Sequence, residues 1–135
     1  MESGLSVESE SSKYDFGGVS ILLVEDDRIN ILLLKRALEN VNAKVVLAQN
    51  GLEAIDLVKS DSNLRAVLMD IKMPVMDGLE ATRVIKEMNS KLPVVAQTAY
   101  AQTSERERAI IAGCDAYLTK PINIAELYKT LKQLI

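Results

Sequence analysis

The 135 residues contain no histidine, one cysteine and no block of clustered Lys and Arg. A lone thiol, Cys114, cannot make an internal disulfide, so a reducing, cytoplasmic setting fits best. A formal net charge of −3 with no basic block argues against nucleic acid as a direct partner. No apolar run approaches the ~20 residues that would span a bilayer, and no signal-peptide pattern opens the chain, so membrane insertion is not expected. What remains is ordinary: 48% apolar and 26% charged residues, at a length that suits one domain with its own core and no disulfide or metal staple.

The chain divides into a leader and a domain. Residues 1–18, "MESGLSVESESSKYDFGG", are rich in Ser, Glu and Gly and read as a disordered linker, with the globular domain running over 19–135. Five runs read as strands: Val19–Val24, Lys44–Ala48, Ala66–Met69, Pro93–Gln97 and Ala116–Thr119. Helical patterns follow them near Asp27–Val41, Gly51–Ser60, Gly78–Met88, Ser104–Ala112 and Ile124–Ile135. Ile21–Val24 and Ala66–Met69 are continuously apolar, as strands covered on both faces should be. Asp27, Asp77-Gly78 and Asn123, the last with Glu126 three residues on, read as helix-starting residues. Regular strand–helix alternation implies parallel strands joined by right-handed crossovers, a doubly wound α/β fold.

In such sheets ligands sit beyond the carboxyl ends of the strands, so the residues that end each apolar run matter most. The first run, "LLVEDD", ends in Glu25, Asp26 and Asp27. The third ends in Asp70, the fourth in Thr98 and the fifth in Lys120 followed by Pro121, whereas the second ends without charge, as an edge strand remote from a site would. Taken alone, "LLVEDDRIN" is a solvated loop with an acidic helix start. Taken with the other strand ends, it contributes to a rim of carboxylates, one hydroxyl and one ammonium. Hard oxygen donors of this kind suit Mg²⁺ (or Mn²⁺), and a carboxylate between a cation site, a lysine and a hydroxyl suits phosphoryl transfer. Asp70, in the middle, could then be the nucleophile that forms an acyl phosphate.

"LLVEDD", "MDIKMPVMDG", "QTAYA" and "GCDAYLTKP" together resemble the receiver domains of two-component response regulators and of hybrid histidine kinases, over residues 19–135. The resemblance implies a flavodoxin-like receiver fold, a five-stranded parallel sheet of order 2-1-3-4-5. It implies Asp70 as phosphoacceptor, Asp26 as direct Mg²⁺ ligand, Glu25 as a ligand through water and the Lys72 backbone carbonyl as a further ligand. Thr98 would bond the phosphoryl oxygen, Lys120 would pair with Asp70 and then with the phosphoryl group, Tyr117 would reorient on activation, and Lys120–Pro121 would be cis. Lys72 and Tyr100, two residues past Asp70 and Thr98, would set how water reaches the phosphoryl group. Gln97 stands where an apolar residue is more common, and the sequence assigns it no role; the simplest reading is a polar side chain at a strand end that faces solvent.

Other classes fit less well. A haloacid-dehalogenase-like phosphatase needs a second Asp two residues after the first, where Lys72 stands. A flavodoxin-like cofactor binder needs a Gly/Ser/Thr-rich phosphate loop where Glu25-Asp26-Asp27 would repel a phosphate. A degenerate receiver serving only as a docking module would lack Asp70, Lys120 or an acid of the pair. Without histidine the chain cannot carry its own phosphohistidine, so a histidine kinase or histidine phosphotransfer domain must be the donor. The expected product is a self-phosphorylating, slowly self-dephosphorylating switch rather than a turnover enzyme, monomeric or weakly dimeric when phosphorylated. The acidic leader suggests the C-terminal receiver of a hybrid kinase, whose parent chain would be the histidine kinase.

The first helix, "DDRINILLLKRALENV", completes the picture. At about 100° per residue, Ile31, Leu34, Ala37, Leu38 and Val41 share the face that covers the sheet. Ile29, Leu32 and Leu33 fall off it beside Arg36, and with the segment after the fifth strand, Pro121-Ile122-Asn123, they form the expected docking patch for the donor.

Overall fold

The computed structural model describes residues 13–73, 75–99 and 103–135; Tyr100 lies outside them. Strands β1 (Ser20–Val24), β2 (Lys44–Ala48), β3 (Leu64–Asp70), β4 (Val94–Thr98) and β5 (Ala116–Thr119) alternate with helices α1 (Arg28–Glu39), α2 (Gly51–Ser60), α3 (Gly78–Met88), α4 (Thr103–Ala112) and α5 (Ile124–Leu134). The five strands pair in parallel in the order β2-β1-β3-β4-β5. The chain therefore reverses its direction of growth between β1 and β3, and the acids Glu25, Asp26 and Asp70 lie at the ends of those two strands.

Alternation along each strand assigns the faces. Ile21, Leu23, Ala66, Leu68, Val95 and Leu118 join α1 (Leu34, Ala37, Leu38) and α5 (Leu127, Tyr128, Leu131) in one core layer. Leu22, Val24, Val67, Met69 and Val94 join α2 (Ala54, Ile55) and α3 (Ala81, Ile85) in the other. Ala96 packs with Leu79 of α3 and with Ala109 and Ala112 of α4. Tyr128, fully buried, donates its phenol hydrogen to the Ala37 carbonyl at 2.6 Å and so ties α5 to α1.

Helix starts are set by side-chain caps. Asp27, Asn50, Asp77 and Asn123 each accept from the backbone N–H three residues on, at 2.9–3.3 Å. Gly78 is demanded by space rather than by φ: a Cβ there would run into the Asp70 carbonyl oxygen and the Ile71 Cα, both backbone. The bond from Gly78 N–H to the Ile71 carbonyl, 2.8 Å, holds the start of α3 against the end of β3.

The expected domain boundary at Val19 is corrected. Phe16, assigned to the leader, is 6% exposed and part of the α1/α5 core, and Tyr14 stacks on it with ring centroids 6.2 Å apart. Backbone bonds from Phe16 to Val41 and from Gly18 to Asn42 lay this segment along the end of α1. Two aromatics with almost no apolar neighbours in sequence carry no periodic signal, yet together they bury enough area to dock the segment.

The strand ends remote from the acids are also tied down. Lys86 Nζ donates to the Ser90 and Leu92 carbonyls and to Asp115 Oδ2 at 2.8–3.1 Å, and the same Asp115 oxygen accepts from Val94 N–H at 2.8 Å. Cys114 beside it is half-buried, and burial pushes its thiol up to about 11. No helix among the described residues is long and apolar enough to cross a membrane.

Candidate functional site

Carboxylate oxygens of Glu25, Asp26 and Asp70 lie within 4.8 Å of one another at the carboxyl rim of the sheet. Glu25 and Asp70 are buried and Asp26 is exposed. Three acids this close would expel one another without compensation, and the surrounding groups supply it. Lys120 Nζ stands 3.4 Å from Glu25 Oε1 and 3.3 Å from Asp70 Oδ1. Glu25 also accepts from the Asp27 backbone N–H at 3.2 Å and from Asn30 Nδ2 at 3.1 Å, and Asp70 Oδ1 accepts from the Lys72 N–H at 3.3 Å.

Compensation is incomplete at Asp70. Burial first, and the neighbouring Glu25 carboxylate second, push its carboxyl up to about 7, with Lys120 pulling the other way. A carboxylate that resists ionising although a lysine touches it has room for more positive charge. The donor set supplies hard oxygens with an exposed member facing water, which fits a divalent cation such as Mg²⁺ better than a softer metal.

Thr98 ends β4 fully buried, on the α4 side of the sheet. Tyr117 stands on the same side, its strand neighbour being Ala96, two residues before Thr98. The Arg106 guanidinium of α4 lies over the Tyr117 ring, 5.7 Å from its centroid. Burial, with Glu105 nearby, raises the Tyr117 phenol above its ordinary value. Lys120–Pro121 is cis.

Three observations go beyond the sequence reading. Asn30 orients Glu25 and was overlooked; the signal was its place in the first turn of α1, where an amide can reach back to the end of β1. Gln97 does not face solvent but is 2% exposed. Ile122 packs partly buried against the α1/α5 core, which leaves less of it for docking, whereas Pro121 and Arg36 are exposed.

A profile of the response regulator receiver domain matches residues 21–132. The chain belongs to the receiver family. The receiver is 35% identical over 118 residues to the polar-differentiation response regulator DivK of Brucella anthropi, covering 86% of this chain and 95% of that one. Among solved structures it superposes on the receiver domain of the sensor histidine kinase PA1611 of Pseudomonas aeruginosa, which has magnesium coordinated in its active-site cleft. That match has a TM-score of 0.81 and 35% identity, over 87% of this chain and 98% of that one. It superposes equally on the receiver domain of the Saccharomyces cerevisiae response regulator Ssk1, solved with the histidine phosphotransfer protein Ypd1. Here the TM-score is 0.80 at 30% identity, over 87% and 88% of the two chains.

Proposed function

We propose that this receiver accepts a phosphoryl group on Asp70 from a partner phosphohistidine, in a Mg²⁺-dependent reaction. The observation that carries the reading is the buried Asp70 carboxylate, in contact with Lys120 and clustered with Glu25 and Asp26. An Asp70 oxygen attacks the phosphorus, the donor's P–N bond breaks, and the electron pair leaves with the imidazole nitrogen. Glu25, Asp26, Asp70 and the Lys72 carbonyl would hold the cation, which when bound neutralises charge on the phosphoryl oxygens. Lys120 contributes a second positive charge to the same oxygens, and Thr98 donates its hydroxyl hydrogen to one of them. With Thr98 drawn toward the phosphoryl group, the space beside Tyr117 changes, and the α4–β5 surface becomes the output.

The donor helix reaches Asp70 by packing beside the rim. Ile29, Leu32 and Leu33 of α1 are 68%, 63% and 59% exposed, next to Arg36, and form the docking surface with Pro121. The solved pair of Ssk1 with Ypd1 supports a phosphotransfer protein as the kind of partner.

Intact-mass measurement with Mg²⁺ and acetyl phosphate tests the chemistry. One phosphoryl adduct is expected, lost with EDTA and in Asp70→Ala. An adduct that persists in Asp70→Ala removes the assignment, and no adduct in the unaltered protein leaves a docking module that works without phosphorylation.

A further inference from the structure

Gln97 is the group the proposed chemistry does not use. Its side chain is 2% exposed, and neither Oε1 nor Nε2 has a hydrogen-bond partner among the described residues. An unpaired buried amide is costly, so such a group calls for an explanation. Core packing does not provide one: its neighbours on the same face, Val95 two residues earlier and Leu118 across the strand pair, are apolar.

Register points to its partner. Asp70 and Gln97 are direct Cα partners in adjacent parallel strands, so both side chains leave the sheet on the α1/α5 face. Glu25, two residues past Leu23, continues the same face, and its N–H extends the β1–β2 ladder by bonding the Ala48 carbonyl at 3.0 Å. Lys120, two residues past Leu118, does likewise, its N–H bonding the Thr98 carbonyl at 2.7 Å. Yet its ammonium sits at Asp70 and Glu25, on strands β3 and β1. To get there from β5, the lysine stem must cross β4 on the face that Gln97 occupies. The carboxamide is therefore the floor beneath the lysine arm. An ammonium carries three donors, and Glu25 and Asp70 use two directions.

We propose that Gln97 is a positioning residue for Lys120: unpaired while the ammonium rests on Glu25 and Asp70, its Oε1 takes the ammonium as a new acceptor when that hold loosens. The contact forms when a cation or a phosphoryl group engages the carboxylates and weakens their hold on the lysine. Gln97 then keeps the ammonium at the rim instead of releasing it to water. The inference rests on the phosphoacceptor reading for its use, though not for its geometry.

Four proteins test it: the unaltered receiver, Gln97→Leu, Lys120→Ala and the double variant. Gln97→Leu should fold at least as stably, because it removes an unpaired amide from an apolar surround; its urea midpoint checks this, and Gln97→Met serves as the second apolar replacement. The first readout is the ¹⁵N–¹H signal of the Lys120 ammonium during Mg²⁺ titration. It should stay sharp in the unaltered protein and exchange about tenfold faster in Gln97→Leu, the scale of one hydrogen bond to a charged group. The second is the Asp70 phosphorylation rate at saturating acetyl phosphate. Gln97→Leu should slow it by about tenfold when Lys120 is present and leave it unchanged in the Lys120→Ala background, since coupled residues fail additivity. Equal slowing in both backgrounds, or an unaltered Lys120 signal in Gln97→Leu, overturns the proposal. If the unaltered protein takes up no phosphoryl group while the ammonium signal responds as expected, the phosphoacceptor reading falls and the Gln97–Lys120 contact stands.

Discussion

Asp70→Asn isolates the electrostatic load of the acidic rim. Burial and Glu25 raise the Asp70 carboxyl from 3.8 to about 7, so the folded protein keeps a proton that the unfolded chain has lost across that interval. Stability from this group is complete below pH 3.8 and is lost as pH rises to about 7. At 1.36 kcal/mol per unit the whole loss is about 4 kcal/mol as a ceiling, of which roughly 3 kcal/mol falls between pH 5 and pH 8. Asparagine imitates the protonated form at every pH, and groups remote from Glu25 and Lys120 titrate alike in both proteins, so they cancel in the difference. In EDTA, Asp70→Asn should therefore be more stable, with a gap that widens from pH 5 to pH 8 by up to about 3 kcal/mol, or roughly 10 °C in Tm at that ceiling. Mg²⁺ at pH 8 should then narrow the gap by stabilising the unaltered protein more than the variant. Thermal and urea unfolding across pH measure both effects. A gap that does not change with pH, or a variant less stable at pH 8, would refute the account of the site.

Leu33→Asp should slow phosphotransfer from a phosphohistidine partner by about tenfold or more while sparing phosphorylation by acetyl phosphate, because the side chain is exposed and away from the core; equal loss in both assays points to damaged folding instead. Gly78→Ala should cost about 2 kcal/mol or more in urea unfolding, since the added Cβ meets backbone that cannot rotate aside. Lys120→Ala should fold, because the lysine is only partly buried at the rim, but NMR shifts at Thr98 and Tyr117 on phosphorylation should shrink. Unchanged shifts in that variant would remove the lysine from the switch.

Sequence patterns revealed the rim because its polar residues interrupt apolar runs, a contrast visible without knowing any contact. The α1 stripe was legible for the same reason. Leu34, Ala37, Leu38 and Val41 are buried and Ile31 is half-buried, while Ile29, Leu32 and Leu33, off that stripe, are exposed. Gln97 had no role legible in the sequence, because the simple reading that polar strand ends face water ignores what packs on that face of the sheet, where it is 2% exposed. Phe16 was misread because burial by isolated aromatics leaves no periodicity. Asn30 needed the turn of α1 to be placed before its reach to Glu25 could be seen.

The Lys86–Asp115 junction gives the sheet two unequal ends. At one end an ammonium and a carboxylate stitch the α3–β4 connection to the starts of β4 and β5, and Phe16 and Gly18 fasten the approach to β1 against the segment that follows α1. At the other end, Glu25 after β1, Asp70 at the end of β3 and Lys120 after β5 are held together by charges that a cation or a phosphoryl group would rearrange. If Asp70 is the phosphoacceptor proposed above, strands clamped at their roots would pass a disturbance there sideways, from one strand tip to the next, toward Tyr117 and α4. The molecule is built like a comb, tied along its spine and bearing its charges at the teeth.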